Sequence, residues 1–309
     1  MSFNSPQKME SNVNQVTNQN HAHRGQIKIC DGKILATQSF EGEQHVMRVQ
    51  CPEIVTCSEP GNFVHVKCSN ELSMRRPMSI MRASPREGWI EFLFKTVGKG
   101  TDLLAKQQVG AIISILGPIG TPFKLSGYRK KPILIGGGVG IPPMVYLAEN
   151  MKRQSNLEPL VLMGSEIPFP FPLKPSQIMT TRVPNDAIAA MPLLEDWGIC
   201  SRLASNQGYA GCFDGFVTDL AKFTILSSSE KNDIELFACG PTAMLKVVQS
   251  IASEYGLPCQ ISLEEHMACA VGGCAGCAVE INTPEGKAMK RVCVDGPIFE
   301  AENVIFGGG

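Results

Sequence analysis

The chain has 309 residues, of which 43% are hydrophobic and 18% charged, and its formal net charge at pH 7 is −1. This composition is ordinary for a soluble globular protein of two or three domains. Because the charge is nearly balanced and neither a basic patch nor a cationic amphipathic stretch is present, we expect no binding to nucleic acid or to a membrane surface.

Residues 1–25 form the first segment of the chain. They are rich in Asn and Gln and lack the apolar stretch and the small-residue cleavage pattern of an export signal. We predict that this segment is a disordered tail. Since the twelve cysteines of the chain occur without an export signal, we expect the protein in the reducing cytoplasm.

Residues 26–126 alternate apolar and polar residues in short runs separated by turn residues. This pattern is typical of half-buried antiparallel strands. In residues 45–51, for example, Met47, Val49 and Cys51 share one face. Six such runs predict a small antiparallel β-barrel.

Two motifs of the barrel segment have the chemistry to bind an anion. Arg76 stands three residues before Ser79, which would offer a guanidinium to a phosphate and a hydroxyl to a ring system. Surface arginines beside an edge strand are the alternative explanation. The run Gly98-Lys-Gly-Thr101 precedes an apolar stretch and fits either an anion-binding helix N-terminus or a plain turn with a helix cap.

Residues 127–256 change to continuous apolar strands that alternate with helical stretches. The strands 132–135, 160–163, 202–204 and 234–239 and the helix 242–255 predict a parallel α/β sheet. Gly256 and Pro258 follow that helix and are residues that end helices.

Two turns of this segment indicate a nucleotide site. Gly136-Gly-Gly-Val-Gly140 follows a strand and opens a helix, and Cys239-Gly-Pro241 does the same. Backbone N–H groups and the helix dipole would there face a diphosphate. The first run is not the G-x-G-x-x-G pattern, and glycine runs also form tight turns. Two such turns at the carboxyl ends of parallel strands nevertheless favour a dinucleotide.

Residues 257–309 contain four cysteines in the order C-x4-C-x2-C-x15-C, namely Cys269, Cys274, Cys277 and Cys293. This spacing, on a loop of small residues, is typical of a [2Fe–2S] cluster. Zinc is the alternative metal, although its sites more typically have paired C-x2-C hooks. The other eight cysteines lie mostly in apolar runs and are expected to be small buried hydrophobic residues.

Taken in order, these motifs resemble the ferredoxin-reductase-like flavoproteins, and within them the family of dihydroorotate dehydrogenase B electron-transfer subunits. Residues 76–80 resemble the flavin signature of that family, residues 97–101 its second FAD loop, and residues 136–143 its NAD loop. Residues 262–299 resemble its cluster module. Residues 165–196 match the family poorly, and His266 stands where the family commonly has arginine.

The resemblance implies an antiparallel FAD-binding β-barrel, a parallel-sheet α/β domain that binds NAD, and a small C-terminal iron–sulfur module. It assigns the cluster to the four cysteines 269, 274, 277 and 293. It assigns FAD and NAD contacts to a larger set of residues: Arg76, Pro77, Met78, Ser79, Gly98, Gly100, Thr101, Gly136, Gly137, Gly138, Gly140, Cys239 and Gly240.

The resemblance also implies a function and a partner. The chain would pass electrons between a [2Fe–2S] cluster, FAD and NAD, and would couple them to dihydroorotate oxidation by an FMN-containing catalytic subunit in a heterotetramer. Two alternatives stay open. The same architecture serves sulfide dehydrogenases, transhydrogenases and hydrogenases, and a zinc-binding interaction module without catalytic activity would carry the same cysteines.

Overall fold

A computed structural model describes residues 25–124 and 129–307. The predicted disordered tail therefore lies, apart from its last residue, outside the described residues. The predicted boundary between residues 126 and 127 also lies outside them. The predicted domain limits accordingly remain predictions.

The first part of the chain is a closed barrel of six antiparallel strands, as the alternating pattern predicted. Met47, Val49 and Cys51 all point inward and are fully buried. Two short helices, α1 (Pro52–Val55) and α2 (Lys99–Ala105), complete this part. The barrel strands are β1 (Lys28–Phe40), β2 (Gln44–Gln50), β3 (Phe63–Lys67), β4 (Arg76–Ser84), β5 (Trp89–Lys95) and β6 (Ile112–Ile119).

The second part is built around a seven-stranded sheet in which all neighbours are parallel except at one edge. Its helices pack apolar faces on strands that are buried on both sides. The elements are β7 (Lys131–Gly137), α3 (Ile141–Met151), β8 (Leu160–Gly164), β9 (Lys174–Pro175), β10 (Ala189–Ala190), α4 (Pro192–Asp196), β11 (Cys200–Ser205), β12 (Phe213–Asp214), α5 (Val217–Ser227), β13 (Ile234–Cys239), α6 (Thr242–Tyr255) and β14 (Cys259–Ser262).

The C-terminal part contains the hairpin β15 (Ala278–Thr283) and β16 (Gly286–Arg291), followed by β17 (Ile298–Glu300). The sheet order is β12-β11-β8-β7-β13-β14-β17, with β17 antiparallel to β14. Strands β14 and β17 fall within the range predicted for the cluster module, yet both belong to the central sheet. The cysteine loop and the hairpin are thus anchored to the sheet on either side.

The barrel and the sheet are joined by polar contacts along α3. Arg82 of β4 forms an ion pair with Glu149 of α3 at 3.0 Å. The Tyr146 hydroxyl donates a hydrogen bond to the Ser58 carbonyl at 2.8 Å. Among the described residues, no helix combines the length and the apolar character that a bilayer crossing requires.

Candidate functional site

The first cleft, of about 510 Å³, lies between the barrel, the sheet and the cysteine segment. From the barrel come Arg76, Pro77, Met78, Ser79 and Thr101, all of them residues predicted to contact a flavin. Val139 and Thr242 come from the sheet domain, and residues 264–267 close the cleft from the C-terminal side. The cleft is therefore formed jointly by all three parts of the chain.

Arg76 and the start of α2 form the positive end of this cleft. The Arg76 guanidinium donates to the carbonyls of Met74 and Arg75 at 3.2 and 3.0 Å. A Cβ on Gly100 would lie 3.0 Å from the Arg76 Nε, so glycine lets the guanidinium lie against the helix start. A guanidinium beside a helix N-terminus has the charge and the donors to hold a diphosphate.

Gly98 and Gly100 do not line the cleft themselves, but Thr101 does. Its hydroxyl accepts hydrogen bonds from the N–H groups of Val97 and Gly98 at 2.9 and 3.3 Å. This arrangement caps α2 and fixes the loop 97–101 at the cleft wall. Of these three motif residues, Thr101 therefore lines the cleft, while Gly98 and Gly100 shape the turn before α2.

The second cleft, of about 610 Å³, lies at the carboxyl ends of β7, β8 and β11 and beside the turn after β13. This is the edge at which parallel α/β sheets bind ligands. Gly137 and Gly138 line it. Gly138 has a φ of 54°, and a Cβ there would meet no atom within 4 Å. The glycine turn after β7 therefore presents open backbone to whatever binds above the sheet.

The other predicted NAD glycines serve the packing of two turns against each other. A Cβ on Gly140 would lie 2.3 Å from the carbonyl oxygen of Cys239, and one on Gly240 would lie 2.6 Å from Met244 Cε. A Cβ on Gly136 would lie 3.1 Å from the Cα of Ile141. Gly140 and Gly240, whose Cβ would also lie 3.2 Å from the Gly137 Cα, let the turn after β7 approach the turn after β13, whereas Gly136 leaves room for the start of α3.

Cys239 ends β13 with a fully buried side chain. Its thiol lies 3.8 Å from Oε1 of Glu264, which lines the first cleft. Burial, reinforced by the Glu264 carboxylate, raises the pKa of the Cys239 thiol well above its ordinary value. A protonated, buried thiol is a poor nucleophile, so Cys239 contributes shape to this turn and no reactive sulfur.

The two clefts meet at Val139 and Lys95, which line both of them. A ligand in the first cleft and a ligand in the second can therefore touch at this point. Residues 264–267, which close the first cleft, lead directly into Cys269. Three candidate sites are thus arranged in sequence from the cysteine loop to the sheet edge.

The four predicted cluster cysteines are grouped as two pairs. Cys277 and Cys293 are buried, with their sulfur atoms 3.4 Å apart. Cys269 and Cys274 lie on the outer loop, and Cys274 is exposed. The N–H groups of Gly273 and Cys274 point at the Cys269 sulfur from 3.2 and 3.4 Å. Two thiolates for each of two irons is the ligand set of a [2Fe–2S] cluster.

The environment of the outer loop favours thiolate. Burial acts to raise the pKa of the Cys269 thiol. Hydrogen bonds from the backbone at Val271, Cys274 and Gly273 and from the Cys274 side chain outweigh burial and lower this pKa to about 7. Burial, with Cys277 beside it, raises the pKa of Cys293 to about 12. Within the described ranges, no three His, Cys, Asp or Glu side chains lie close enough together to bind a single metal ion.

Comparison with known proteins decides the family. Residues 264–305 match the model of the iron–sulfur cluster binding domain of dihydroorotate dehydrogenase B. The electron transfer subunit of dihydroorotate dehydrogenase B (NAD(+)) from Desulforamulus reducens is 30% identical over 90% of this chain and 99% of its own. The corresponding subunit of Bacillus caldolyticus is 33% identical over 91% and 98%. The chain belongs to this family of electron transfer subunits.

Solved structures agree with that membership. A chain from the NADH-dependent reduced ferredoxin–NADP oxidoreductase superposes with a TM-score of 0.72 at 25% identity, covering 89% of this chain and 90% of that one. The ferredoxin reductase of carbazole 1,9a-dioxygenase superposes with a TM-score of 0.58 at 20% identity over 75% and 67%, which shows the shared fold alone. The predicted ferredoxin-reductase-like fold is confirmed.

Family membership, the reductase fold and the iron–sulfur domain together support the predicted cofactors FAD, a [2Fe–2S] cluster and NAD. The chain is an oxidoreductase subunit. The zinc-binding interaction module considered as an alternative does not agree with the iron–sulfur family that residues 264–305 match.

Several cleft residues were not predicted as ligand contacts. Lys95 and Val139 line both clefts, and Glu166, Ser205 and Asn206 line the second. Val139 lies within the glycine motif of residues 136–140, whereas the other four residues belong to no motif with a spacing of its own. Their position in the chain could have identified two of them as ligand contacts, because Glu166 and Ser205 follow predicted parallel strands at the carboxyl ends where such sheets bind ligands.

Proposed function

We propose that the chain receives electrons at its [2Fe–2S] cluster from an FMN-containing catalytic subunit that oxidises dihydroorotate to orotate, and delivers them to NAD. In this proposal the two kinds of subunit form a heterotetramer. FAD, when bound, exchanges electron pairs with NAD and single electrons with the cluster. By itself, the chain acts as a diaphorase that reduces dyes with NADH.

One observation carries the proposal, namely the continuity of the three sites. The segment that closes the first cleft begins at Glu264 and reaches Cys269 within five residues. Val139 and Lys95 join the first cleft to the second. A flavin in the first cleft would thus have the cluster on one side and the nicotinamide on the other, as an electron relay requires.

The chain's own residues bind and orient the groups that react. Arg76 and the N-terminus of α2 would hold the FAD diphosphate, and residues 77–79 would contact the isoalloxazine. Gly137 and Gly138 bring backbone N–H groups to the NAD diphosphate. Gly140 and Gly240 bring the turn at Cys239 close enough to border the nicotinamide. The four cysteines hold the two irons.

The catalytic partner docks near the outer cysteine pair. Cys274 is exposed, and Met289 on the neighbouring hairpin strand β16 is 65% exposed. Arg291 of the same strand donates to the Gly272 carbonyl of the cysteine loop at 2.9 Å, which ties the hairpin to that loop. Docking here keeps the path from the partner to the cluster short.

The test compares two cysteine variants of the complex. We expect Cys274→Ser to abolish dihydroorotate-dependent NAD reduction, because the cluster is lost or altered, while NADH-dependent dye reduction at the flavin stays within about twofold of the wild type. Cys57→Ser, which changes a half-buried cysteine of the barrel, should leave both rates unchanged. Unaltered dihydroorotate-dependent activity in Cys274→Ser would exclude the cluster from the path.

A second candidate function is electron transfer in a complex like the NADH-dependent reduced ferredoxin–NADP oxidoreductase, whose chain superposes over 89% of this one. The internal relay would be the same, and only the partner would differ. Purification of the complex from its native cells distinguishes the two. An FMN-containing dihydroorotate-oxidising partner supports the first function, and a partner that oxidises ferredoxin supports the second.

A further inference from the structure

We propose that Glu264 delivers to the flavin the proton that must accompany the electrons arriving from the cluster. The proposal rests on the proposed function, since it concerns electron flow from a catalytic partner towards NAD. It adds a path for protons to the path for electrons, and it places that path in the wall between the first cleft and a third cleft.

The need for a proton follows from the electron count. A [2Fe–2S] cluster passes single electrons without a proton, whereas NAD takes up a hydride, which is two electrons and one proton. One proton must therefore reach the flavin for each pair of electrons from the cluster. The O–H bond of the Glu264 carboxyl group breaks, an N–H bond forms at N5 of the flavin, and this hydrogen leaves with both electrons to NAD. A proton from water then restores the Glu264 carboxyl group.

A third cleft, of about 400 Å³, gives water a route to Glu264. It lies between the start of α6, the segment before the cysteine loop, strand β15 and residues 304–307. The side chain of Glu280, which lines this cleft and not the first, is 40% exposed. Four residues line both the first and the third cleft, namely Thr242, Leu263, Glu264 and Glu265. Residues 263–265 thus separate the flavin cleft from a cleft that bulk water reaches.

The carboxyl group of Glu264 extends from this wall to the turn after β13. Its Oε1 accepts a hydrogen bond from the Cys239 thiol at 3.8 Å. A Cβ on Gly140 would lie 2.3 Å from the Cys239 carbonyl oxygen, and Gly140 follows Val139, which joins the first cleft to the second. Glu264 therefore lies on the side of the first cleft where a flavin and a nicotinamide would meet.

The surroundings of Glu264 suit a proton carrier. Its side chain is exposed to the clefts, but the protein around it is dense enough that burial raises its pKa above the ordinary value, against the opposing effect of the Cys239 hydrogen bond. A carboxyl group of raised pKa keeps its proton at a higher pH than an ordinary glutamate. A pKa closer to the working pH is what general acid catalysis requires.

Other titratable residues of the first cleft fit this role less well. In the described chain they are Arg76, Lys95, Glu265 and His266. A guanidinium does not release its proton in proteins. Lys95 and His266 do not line the third cleft, so water in that cleft does not reach them. Glu265 lines both clefts, but the hydrogen bond to Cys239 is made by Glu264.

The test compares two ways of reducing the flavin in the complex with the catalytic partner. NADH reduces it by a hydride that brings its own proton, whereas dihydroorotate reduces it through the cluster, so that the proton must come from the protein. Anaerobic stopped-flow absorbance measures both rates in single turnovers. In Glu264→Gln we expect the ratio of the dihydroorotate rate to the NADH rate to fall at least about tenfold. Glu264→Asp, which keeps an acid, should recover part of this ratio.

Two further variants serve as comparisons. Glu302→Gln removes the same charge from an exposed residue that lines none of the three clefts, and it should leave the ratio within about twofold of the wild type. Glu265→Gln tests the neighbouring carboxylate. A ratio that stays fixed in Glu264→Gln, or that falls in Glu265→Gln and not in Glu264→Gln, overturns the proposal.

Infrared spectroscopy tests Glu264 without turnover. The absorbance of the carboxylic acid C=O band is measured against pH in the oxidised, FAD- and cluster-loaded protein, and the difference between wild type and Glu264→Gln gives the titration of Glu264. We expect its midpoint above the ordinary glutamate pKa of about 4.3. A midpoint at or below that value overturns the role of Glu264 as a proton carrier.

Failure of the proposal and failure of the proposed function give different results. If NADH and dihydroorotate both reduce the flavin of the wild-type complex and the ratio is unchanged in Glu264→Gln, only the role of Glu264 is overturned. If dihydroorotate does not reduce the flavin of the wild-type complex, the proposed function is overturned, and the infrared titration still decides whether Glu264 can carry a proton.

Discussion

Two adjacent arginines of the flavin motif have different neighbours. Arg75, the residue before β4, donates to the carbonyls of His65 and Ser114 at 3.2 and 2.8 Å and to the Ser114 hydroxyl at 3.0 Å, so it ties the start of β4 to β3 and β6. Arg76 points into the first cleft. Alternation along a strand separates them, because successive side chains face opposite sides.

Arg76→Ala should therefore lose flavin, because a charge-assisted contact to a diphosphate is removed. We expect FAD affinity to fall about tenfold or more, measured as the flavin-to-protein ratio after gel filtration. The matched variant Arg75→Ala should lower the melting temperature and retain its flavin. Full flavin occupancy in Arg76→Ala would remove Arg76 from the diphosphate site.

His65 predicts a pH dependence of stability. Its side chain is 1% exposed, and burial, with the nearby charges of Arg75 and Arg76, lowers its pKa to about 4. Between the unfolded pKa of about 6.5 and this value the unfolded chain binds a proton that the folded protein does not, so stability rises with pH across this window.

We expect the free energy of unfolding to fall by about 3 kcal/mol from pH 6.5 to pH 4 through this group. Urea denaturation at several pH values measures it. His65→Phe, which keeps an aromatic ring and cannot titrate, should flatten the curve in that window. An equally steep curve in His65→Phe would assign the slope to other groups.

At the scale of elements, the turns after β7 and β13 act as one unit. Gly140 lies so close to the Cys239 carbonyl that any side chain there would overlap it. The glycine-rich run therefore has two roles: Gly138 presents open backbone to the second cleft, and Gly140 allows a tight contact between the turns. The sequence of the run does not tell which glycine has which role.

Gly140→Ala should push these two turns apart. We expect a loss of roughly 3 kcal/mol in unfolding free energy and weaker NADH binding, measured by thermal denaturation and calorimetry. Gly98→Ala is the control, since a Cβ there meets no atom within 4 Å and its φ of 175° suits any residue. Its cost should stay below about 1 kcal/mol. Equal costs for the two variants would contradict the packing role of Gly140.

At the scale of the whole molecule, one cation links the barrel to the sheet domain. The Arg82 guanidinium pairs with Glu149 and lies 5.5 and 5.1 Å from the ring centroids of Trp89 and Trp197. Both partners of the pair are mostly buried, with 20% and 14% of their side chains exposed. Within the described chain, the Arg82 Nε and the Glu149 Oε2 have no hydrogen-bond partner.

Removing one partner should cost more than removing both. Arg82→Met leaves the Glu149 carboxylate buried and unpaired, for an expected loss of about 3 kcal/mol, whereas Arg82→Met with Glu149→Leu should recover most of it. Thermal denaturation of the double-mutant cycle measures the coupling. The exposed pair Lys222 and Glu254 is the control and should couple by less than about 1 kcal/mol. Additive effects at Arg82 and Glu149 would contradict this view of the domain contact.

The sequence, together with the family resemblance of its motifs, sufficed for the architecture and the cofactor types. The alternation of apolar and polar residues in the barrel strands and the apolar runs of the sheet strands are patterns within short stretches of chain. The spacing of the four cysteines is a pattern of the same kind, because a cluster tolerates few spacings between its ligands. Helix α6 was predicted over residues 242–255, and Gly256 adopts the left-handed conformation that ends it.

The tertiary structure decided which motif residues reach a cleft and which support a turn. Gly98, Gly100, Gly136 and Gly140 belong to ligand motifs, yet none lines either cleft, while Lys95 and Glu166 enter the clefts from segments outside the motifs. It also placed β14 and β17 in the central sheet. The physical reason is that periodicity and spacing record contacts between neighbours in the chain, whereas a cleft between three domains depends on which distant surfaces bury each other.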